Sequence, residues 1–115
     1  MRLKITTNIE DEYILFTVKS TLLIENITSL ETLLKKYIDK KKHILIDLSE
    51  ITFIDSSSLG ILMVFNIELE KNNKYLSLII ANSDIINMLK YTGVDKQIRI
   101  FDDITSAITG LGLSK

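Results

Sequence analysis

Residues 44–60 read ILIDLSEITFIDSSSLG, and this stretch contains the transition that predicts the fold. Residues 44–48 are mainly apolar, as in a buried strand, and a short turn follows them. The turn ends in Asp55 and three consecutive serines, after which apolar residues continue at a density typical of a buried helix. The stretch therefore predicts a strand whose end delivers polar side chains to the start of a helix.

The rest of the chain extends this pattern in both directions. A hairpin and a helix are predicted before it, and strands alternate with helices after it, which favours parallel strands joined by right-handed crossovers. The predicted strands span residues 2–6, 13–19, 43–48, 75–81 and 97–101, and the predicted helices lie around residues 30–38, 57–71, 84–91 and 103–112. We therefore expect a single α/β domain over residues 1–115, with a mixed, mainly parallel sheet of four or five strands and about four helices.

Several residues at the predicted helix ends have side chains that usually cap helices. Thr28 and Glu31 have the spacing of a capping box, in which each side chain accepts a hydrogen bond from a free backbone amide. Ser83 and residues 102–103 precede the last two predicted helices and are candidate N-caps. Gly93 suits the left-handed end of a helix. We interpret all of these as structural residues.

Composition excludes several classes of protein. The 115 residues carry 14 basic and 15 acidic side chains, and a net charge of -1 gives no long-range attraction to nucleic acid or an anionic membrane. The absence of cysteine excludes disulfides, thiol catalysis and cysteine-based zinc sites. No apolar run approaches the roughly 20 residues that span a bilayer. We expect a cytoplasmic protein without membrane insertion.

Patterns that would indicate catalysis are missing as well. A nucleophilic serine needs a neighbouring base, but the only histidine, His43, is predicted at the opposite end of the strand that leads to Ser56. There is no glycine-rich phosphate loop, and Asp47 and Asp55 do not form the acidic cluster of a phosphate-accepting receiver domain. The sequence predicts a binding module rather than an enzyme, with no cofactor and no metal; a small hydrolase that uses Ser56 is the remaining enzymatic alternative.

Residues 55–58 admit two interpretations. In the simpler one, Asp55 or Ser56 caps the helix and the other hydroxyls satisfy free amides. However, four polar side chains exceed what one cap needs, and the helix lacks a clear polar face. At helical spacing one strip of the helix contains Leu59, Met63, Asn66 and Glu70. If this strip faces water, Leu59 and Met63 form a small exposed apolar patch, which is a candidate docking surface. A phosphate on one of the serines would add about -1.5 to -2 charges there and would act mainly on a partner.

Residues 46–60 resemble the signature of STAS domains, and in particular that of anti-sigma factor antagonists, in which a strand and a D-L-S step precede D-S-[ST]-G-L-G. Residues 92–95, TGVD, are similar to the T-G-[LV]-D segment found after the family's third helix. The order of elements agrees over almost the whole chain. Two departures are that Ser58 replaces a glycine and that residues 19–26 lack the glycine and aspartate usually found after the second strand.

The resemblance implies a phosphorylation-switched partner of a serine kinase that is also an anti-sigma factor. The unphosphorylated antagonist would bind this kinase, release the sigma factor and so regulate transcription indirectly, until phosphorylation of Ser56 ends binding and a phosphoprotein phosphatase restores it. The expected partner-binding residues are Asp55, Ser57, Ser58, Leu59 and Met63. The alternative is a STAS scaffold, a transporter accessory or a sensor-complex module that docks without phosphorylation.

Overall fold

Strands and helices alternate along the computed structural model, which describes residues 3–113. The elements in chain order are β1 (Lys4–Ile9), β2 (Tyr13–Lys19), α1 (Thr28–Tyr37), β3 (His43–Asp47), α2 (Ser56–Glu70), β4 (Leu76–Ile79), α3 (Ser83–Thr92), a 3₁₀ turn (Val94–Lys96), β5 (Arg99–Phe101) and α4 (Ile104–Gly110). The strands form one sheet in the order β1-β2-β3-β4-β5. Only the β1–β2 pair is antiparallel within this sheet. The predicted α/β class with a mixed, mainly parallel sheet is confirmed.

The two faces of the sheet are covered unequally. Side chains alternate between the faces of a strand, and in β2 the inward-facing Phe16 joins the larger core formed with α1, α2 and α3. Its neighbour Leu15 faces the other way and packs with Leu45 and Ile79 under the short helix α4. Burial on both faces explains why β3 and β4 lack the polar–apolar alternation of a half-exposed strand.

The hairpin differs from its prediction by a shift along the chain. β1 was expected at residues 2–6; Arg2 lies outside the described residues, and the observed strand continues to Ile9. Asn8 and Ile9 stay paired with Leu15 and Ile14 of β2. The turn is therefore limited to residues 10–12, closed by the Glu10 amide donating to the Tyr13 carbonyl at 2.9 Å.

Two of the predicted helix caps are wrong. The Thr28–Glu31 capping box is not formed, because the chain enters α1 from a helix-like turn that makes Ile27 the N-cap and Thr28 the first helical residue. Likewise Ser83 is the first residue of α3, and the cap is Asn82, whose side chain accepts hydrogen bonds from the amides of Asp84 and Ile85. In both cases the cap position lies one residue earlier than the sequence pattern indicated.

The other two predicted helix ends are confirmed. Asp103 is the N-cap of α4, and its side chain accepts a hydrogen bond from the Ser106 amide at 2.7 Å. Gly93 ends α3 with φ of 81°, a left-handed conformation that glycine adopts without a steric penalty.

Ser20 adopts an unusual backbone conformation directly after β2. Its φ of 127° belongs to a region that glycine adopts freely and other residues rarely do. Such a conformation costs on the order of 1–3 kcal/mol and persists only where the surrounding structure imposes it. The chain thus makes, directly after β2, a bend of a kind that usually requires glycine.

Candidate functional site

The candidate site lies after the carboxyl end of β3, at the edge of the sheet where parallel α/β domains usually place their binding sites. Ile51 and Ile54 are buried and fix the loop between β3 and α2 to the core. Ile54 also forms a parallel β-bridge with Leu22. These anchors place Asp55 half-buried at the surface, directly before the first turn of α2.

Asp55 caps α2 and also binds a second segment. Its backbone is extended, its Oδ1 accepts a hydrogen bond from the Ser58 amide at 2.8 Å, and its Oδ2 accepts one from the Ile24 amide at 2.8 Å. Burial acts to raise the pKa of this carboxyl, but the nearby Ser58 hydroxyl and the two amide donors outweigh burial and lower the pKa below its ordinary value. Asp55 is therefore a carboxylate at neutral pH.

The three serines that follow Asp55 have different surroundings. Ser56 and Ser57 are exposed in the first turn of α2, whereas Ser58 is fully buried. The Ser58 Oγ lies near the Asp55 carboxylate but outside hydrogen-bond geometry, and it has no other hydrogen-bond partner among residues 3–113. The prediction that Ser58 faces a partner is wrong, because the helix turns it into the core.

The apolar strip on α2 lies on a different side of the helix from the one predicted. Leu59 is only 4% exposed and belongs to the core, so the prediction of Leu59 as a docking residue is wrong, while Met63 is half-buried. The exposed positions at helical spacing are Gly60, Val64 and Ile67, which we call the outer strip; Val64 is 60% and Ile67 56% exposed. The outer strip begins one helical turn beyond Ser56.

The orientation of α2 is explained by a residue that the sequence interpretation placed toward solvent. Asn66 is buried, its Oδ1 accepts a hydrogen bond from the Leu76 amide at 2.9 Å, and its Nδ2 donates one to the Gln97 carbonyl at 3.2 Å. It thereby connects α2 to the chain that enters β4 and β5. Because the helix is apolar on nearly every side, only such tertiary contacts determine which side is buried.

Gly60 faces open space on α2. Apart from the backbone of the helix itself, a Cβ added at this position would meet no heavy atom of residues 3–113 within 4 Å. A glycine inside a helix nevertheless destabilises it by roughly 0.5–1 kcal/mol relative to alanine. The residue therefore leaves space on the exposed side of α2 rather than inside the protein.

Exposed apolar side chains also lie in the two segments that adjoin Asp55. Ile24 and Phe53 are both more than half exposed. Phe53, Ile85 and Met88 line an apolar cleft of about 220 Å³ between the loop before α2 and helix α3. Phe53 lies two residues before Asp55, and Ile24 is joined to Asp55 through its backbone amide. With the outer strip, these side chains add exposed apolar surface to the part of the domain that carries Ser56, which suits the docking of a protein.

His43 is the first residue of β3 and lies at the other end of that strand from the loop that leads to Ser56. Its ring stacks on Tyr75 with centroids 5.7 Å apart, and its Nδ1 accepts a hydrogen bond from the Tyr75 amide at 3.1 Å. It is the only histidine in the sequence. No histidine base is therefore available to activate Ser56 as a nucleophile.

His43 is expected to give the protein a pH-dependent stability. Burial lowers the pKa of the His43 imidazole, the Lys74 and Arg99 charges lower it further, and Glu12 raises it only in part. The unfolded chain then binds more protons than the folded one near pH 6.5, so the free energy of unfolding should fall as the pH decreases from about 7 through the lowered pKa.

Urea denaturation between pH 5 and 7.5 checks this prediction. His43→Asn keeps an acceptor for the Tyr75 amide but does not titrate, so its stability should change less over this range. Equal slopes for the two proteins would contradict a lowered pKa at His43.

The described residues contain neither a candidate metal cluster nor a candidate membrane-spanning helix. Within residues 3–113, no cluster of three or more histidine or acidic side chains is placed to hold a metal ion. Over the same described part of the chain, no helix combines the length and apolar character required to cross a bilayer.

Comparison with known proteins identifies the family. The sequence model of the STAS domain matches residues 3–107. Among solved structures, an anti-sigma factor antagonist from Mycobacterium paratuberculosis has a TM-score of 0.85 at 19% identity, with coverage of 96% of this chain and 94% of that one. The Bacillus cell fate determinant SpoIIAA in its phosphorylated form has a TM-score of 0.69 at 14% identity, with coverage of 94% and 99%.

A membrane protein contains the same fold. The murine Solute Carrier 26 family member A9 anion transporter has a TM-score of 0.74 at 18% identity, but the match covers 90% of this chain and only 18% of the transporter. At these identities the solved structures establish the fold alone. The family match, which extends over almost all of the described residues, establishes that this chain belongs to the STAS domain family.

Proposed function

We propose that this protein is an anti-sigma factor antagonist that binds a serine kinase and is switched off by phosphorylation of Ser56. The observation that carries the proposal is the exposed Ser56, which lies in the first turn of α2 directly after Asp55, on the part of the domain that also carries the exposed apolar Phe53 and Val64. The anti-sigma factor antagonist from Mycobacterium paratuberculosis and the phosphorylated SpoIIAA share the fold. Both similarities support the proposal.

The physical basis of the switch is a change of charge at a docking surface. A phosphate on Ser56 would add about -1.5 to -2 charges next to a carboxylate that is already ionised. The N-terminus of α2 tolerates a negative charge, so the fold of the antagonist should change little. A partner that covers the site would have to desolvate two neighbouring anions, which makes binding unfavourable unless it supplies cations.

The proposed binding surface differs from the one expected from sequence. Asp55, Ser57 and Met63 remain candidate contacts, and the outer strip joins them. Ser58 and Leu59 support this surface from inside the domain. In this proposal the chain acts as one non-enzymatic domain in the cytoplasm, the kinase doubles as the anti-sigma factor, and a phosphatase returns Ser56 to its free form.

Phosphorylation by the cognate kinase tests the switch. Incubation with the kinase and ATP, followed by intact-mass measurement, should show one phosphate on wild-type protein and on Ser57→Ala, and none on Ser56→Ala. Ser57 is the matched control because it is a neighbouring exposed serine. Equal incorporation into Ser56→Ala and wild type would place the switch elsewhere.

Binding measurements test the consequence of the charge. Ser56→Asp should bind the kinase about tenfold more weakly than wild type, while Ser56→Asn, which has a similar shape and no charge, should bind within about threefold. Equal affinity of the Asp and Asn variants would contradict a switch based on repulsion.

The second candidate function is a docking module of a transporter or sensor complex that does not use phosphorylation. The observation that favours it is the match to a segment of the murine anion transporter. A native partner that is a membrane protein, and whose binding is the same for wild type and Ser56→Asp, would support this alternative over the first.

A further inference from the structure

The segment between β2 and α1, residues 20–27, is an ordered loop that reaches the candidate site. Its interior is held by Asn26, whose Oδ1 accepts a hydrogen bond from the Leu23 amide and whose Nδ2 donates one to the Thr21 carbonyl. Leu22 and Ile27 are fully buried. The exposed Ile24 between them is therefore presented by a loop with a defined shape.

Three hydrogen bonds connect this loop to the residues around Ser56. The Leu22 amide donates to the Phe53 carbonyl at 3.0 Å, and the Asp55 amide donates to the Leu22 carbonyl at 3.1 Å. The third is the bond from the Ile24 amide to Asp55 Oδ2 at 2.8 Å. Of these three hydrogen bonds, only this one uses a side chain; the other two join backbone groups.

Asp55 does more than cap a helix, as a comparison with Asp103, the N-cap of α4, shows. Asp103 caps α4 by accepting a hydrogen bond from the Ser106 amide. Asp55 uses one oxygen for the equivalent bond to Ser58 and the other for Ile24, which is 31 residues away in sequence. A serine would serve for the first task. The second requires an acceptor that reaches both segments at once, as a carboxylate does.

We propose that Asp55 is a positioning residue for phosphorylation of Ser56, because it fastens the β2–α1 loop to the first turn of α2. Ser56, Ile24 and Phe53 then form one preformed surface for the kinase. Binding to a preformed surface avoids the entropy cost of ordering a loop on association. This proposal rests on the proposed function, and it adds the loop at residues 20–27 to the surface that the kinase recognises.

The bond can be removed from either side. Asp55→Ser keeps an N-cap for α2 and loses the acceptor for the Ile24 amide. Ile24→Pro removes the donor and leaves Asp55 intact. The hydrogen bond from the Asn26 amide to the Leu23 carbonyl makes Ile24 the second residue of a β-turn, and proline is favoured at this position.

Two control variants separate the bond from other effects. Ile24→Ala loses the side chain but keeps the amide, so the difference between Ile24→Pro and Ile24→Ala reports the hydrogen bond. Asp103→Ser removes the carboxylate of the other aspartate cap, which lies on α4.

Hydrogen exchange measures whether the loop is released. Amides of residues 22, 23, 25 and 26 should exchange about tenfold faster in Asp55→Ser and Ile24→Pro than in wild type, and Ile24→Ala and Asp103→Ser should leave this rate unchanged. Unchanged exchange in both Asp55→Ser and Ile24→Pro would overturn the role of Asp55 in holding the loop.

Kinase kinetics measure whether the held loop matters. We expect KM for phosphorylation to rise about fivefold in Asp55→Ser, with kcat within about twofold of wild type. The variant loses contacts that stabilise the bound complex and the transition state equally, whereas phosphoryl transfer itself is unaffected. Ile24→Pro should raise KM by a similar factor relative to Ile24→Ala. A rise in Asp55→Ser without one in Ile24→Pro would mean that the kinase contacts Asp55 directly, and would overturn the positioning role.

The same experiment distinguishes this proposal from the proposed function. Wild-type protein that is not phosphorylated on Ser56 would overturn both. Wild-type protein that is phosphorylated, together with variants whose loop is released and whose KM is unchanged, would overturn the positioning role alone.

Discussion

Replacing Leu59 with alanine is expected to lower the free energy of unfolding by about 3 kcal/mol, since truncating a buried leucine loses its burial and leaves a cavity. Leu59 is 4% exposed and packs in the larger core together with Leu62 and other residues of α2. Urea denaturation at neutral pH measures the effect, and a domain of this size is expected to unfold in one cooperative step.

Met63→Ala provides the matched control for this prediction. Met63 lies one turn along α2 and is only half-buried, so we expect a loss of about 1 kcal/mol or less. Similar losses for the two variants would contradict the observed orientation of α2. The folded fraction of Leu59→Ala should still bind the kinase with an affinity close to that of wild type, because this side chain does not reach the surface.

The start of α2 could be predicted from the sequence, but the side of the helix that faces solvent could not. Of the two predicted caps of this helix, Asp55 and Ser56, Asp55 is the one observed, and a cap is predictable because it is a local feature set by a few neighbouring residues. The exposed side of the helix was predicted incorrectly, because the helix is apolar on nearly every side and Asn66 was taken for a solvent-facing residue. Its amide group instead pairs with backbone groups of Leu76 and Gln97, which a local pattern does not reveal.

The candidate site likewise has some features that neighbouring residues determine and others that tertiary contacts determine. The exposed Ser56 beside a carboxylate follows from residues that are adjacent in sequence. The bond between Ile24 and Asp55 joins residues 31 positions apart, and it depends on a loop whose backbone bends at Ser20. The observed cap of α3 is Asn82 and not the predicted Ser83, because the position of a cap depends on how the chain enters the helix. The alternation of strands and helices was predictable because each element has its own periodicity.

Val64→Lys is expected to weaken kinase binding by about tenfold, or about 1.4 kcal/mol, because it places a charge in the middle of the outer strip. Val64 is 60% exposed, so its replacement should change the free energy of unfolding by no more than about 0.5 kcal/mol. Calorimetry or surface plasmon resonance with the unphosphorylated protein would measure the affinity. Ile9→Lys is the matched control, since Ile9 is 55% exposed and lies in the hairpin with Ile14, at the opposite end of β2 from the site.

Gly60→Ala tests the same surface with an opposite effect on stability. Outside the backbone of α2, the added methyl group meets no heavy atom of the described residues within 4 Å, and alanine favours the helix, so the free energy of unfolding should increase by about 0.5–1 kcal/mol. If the kinase approaches the outer strip closely, the same methyl group should lower its affinity. A variant that is more stable yet binds more weakly cannot owe its lost affinity to unfolding. Unchanged affinity in both Gly60→Ala and Val64→Lys would exclude the outer strip from the interface and leave Ile24 and Phe53 as the apolar contacts beside Ser56.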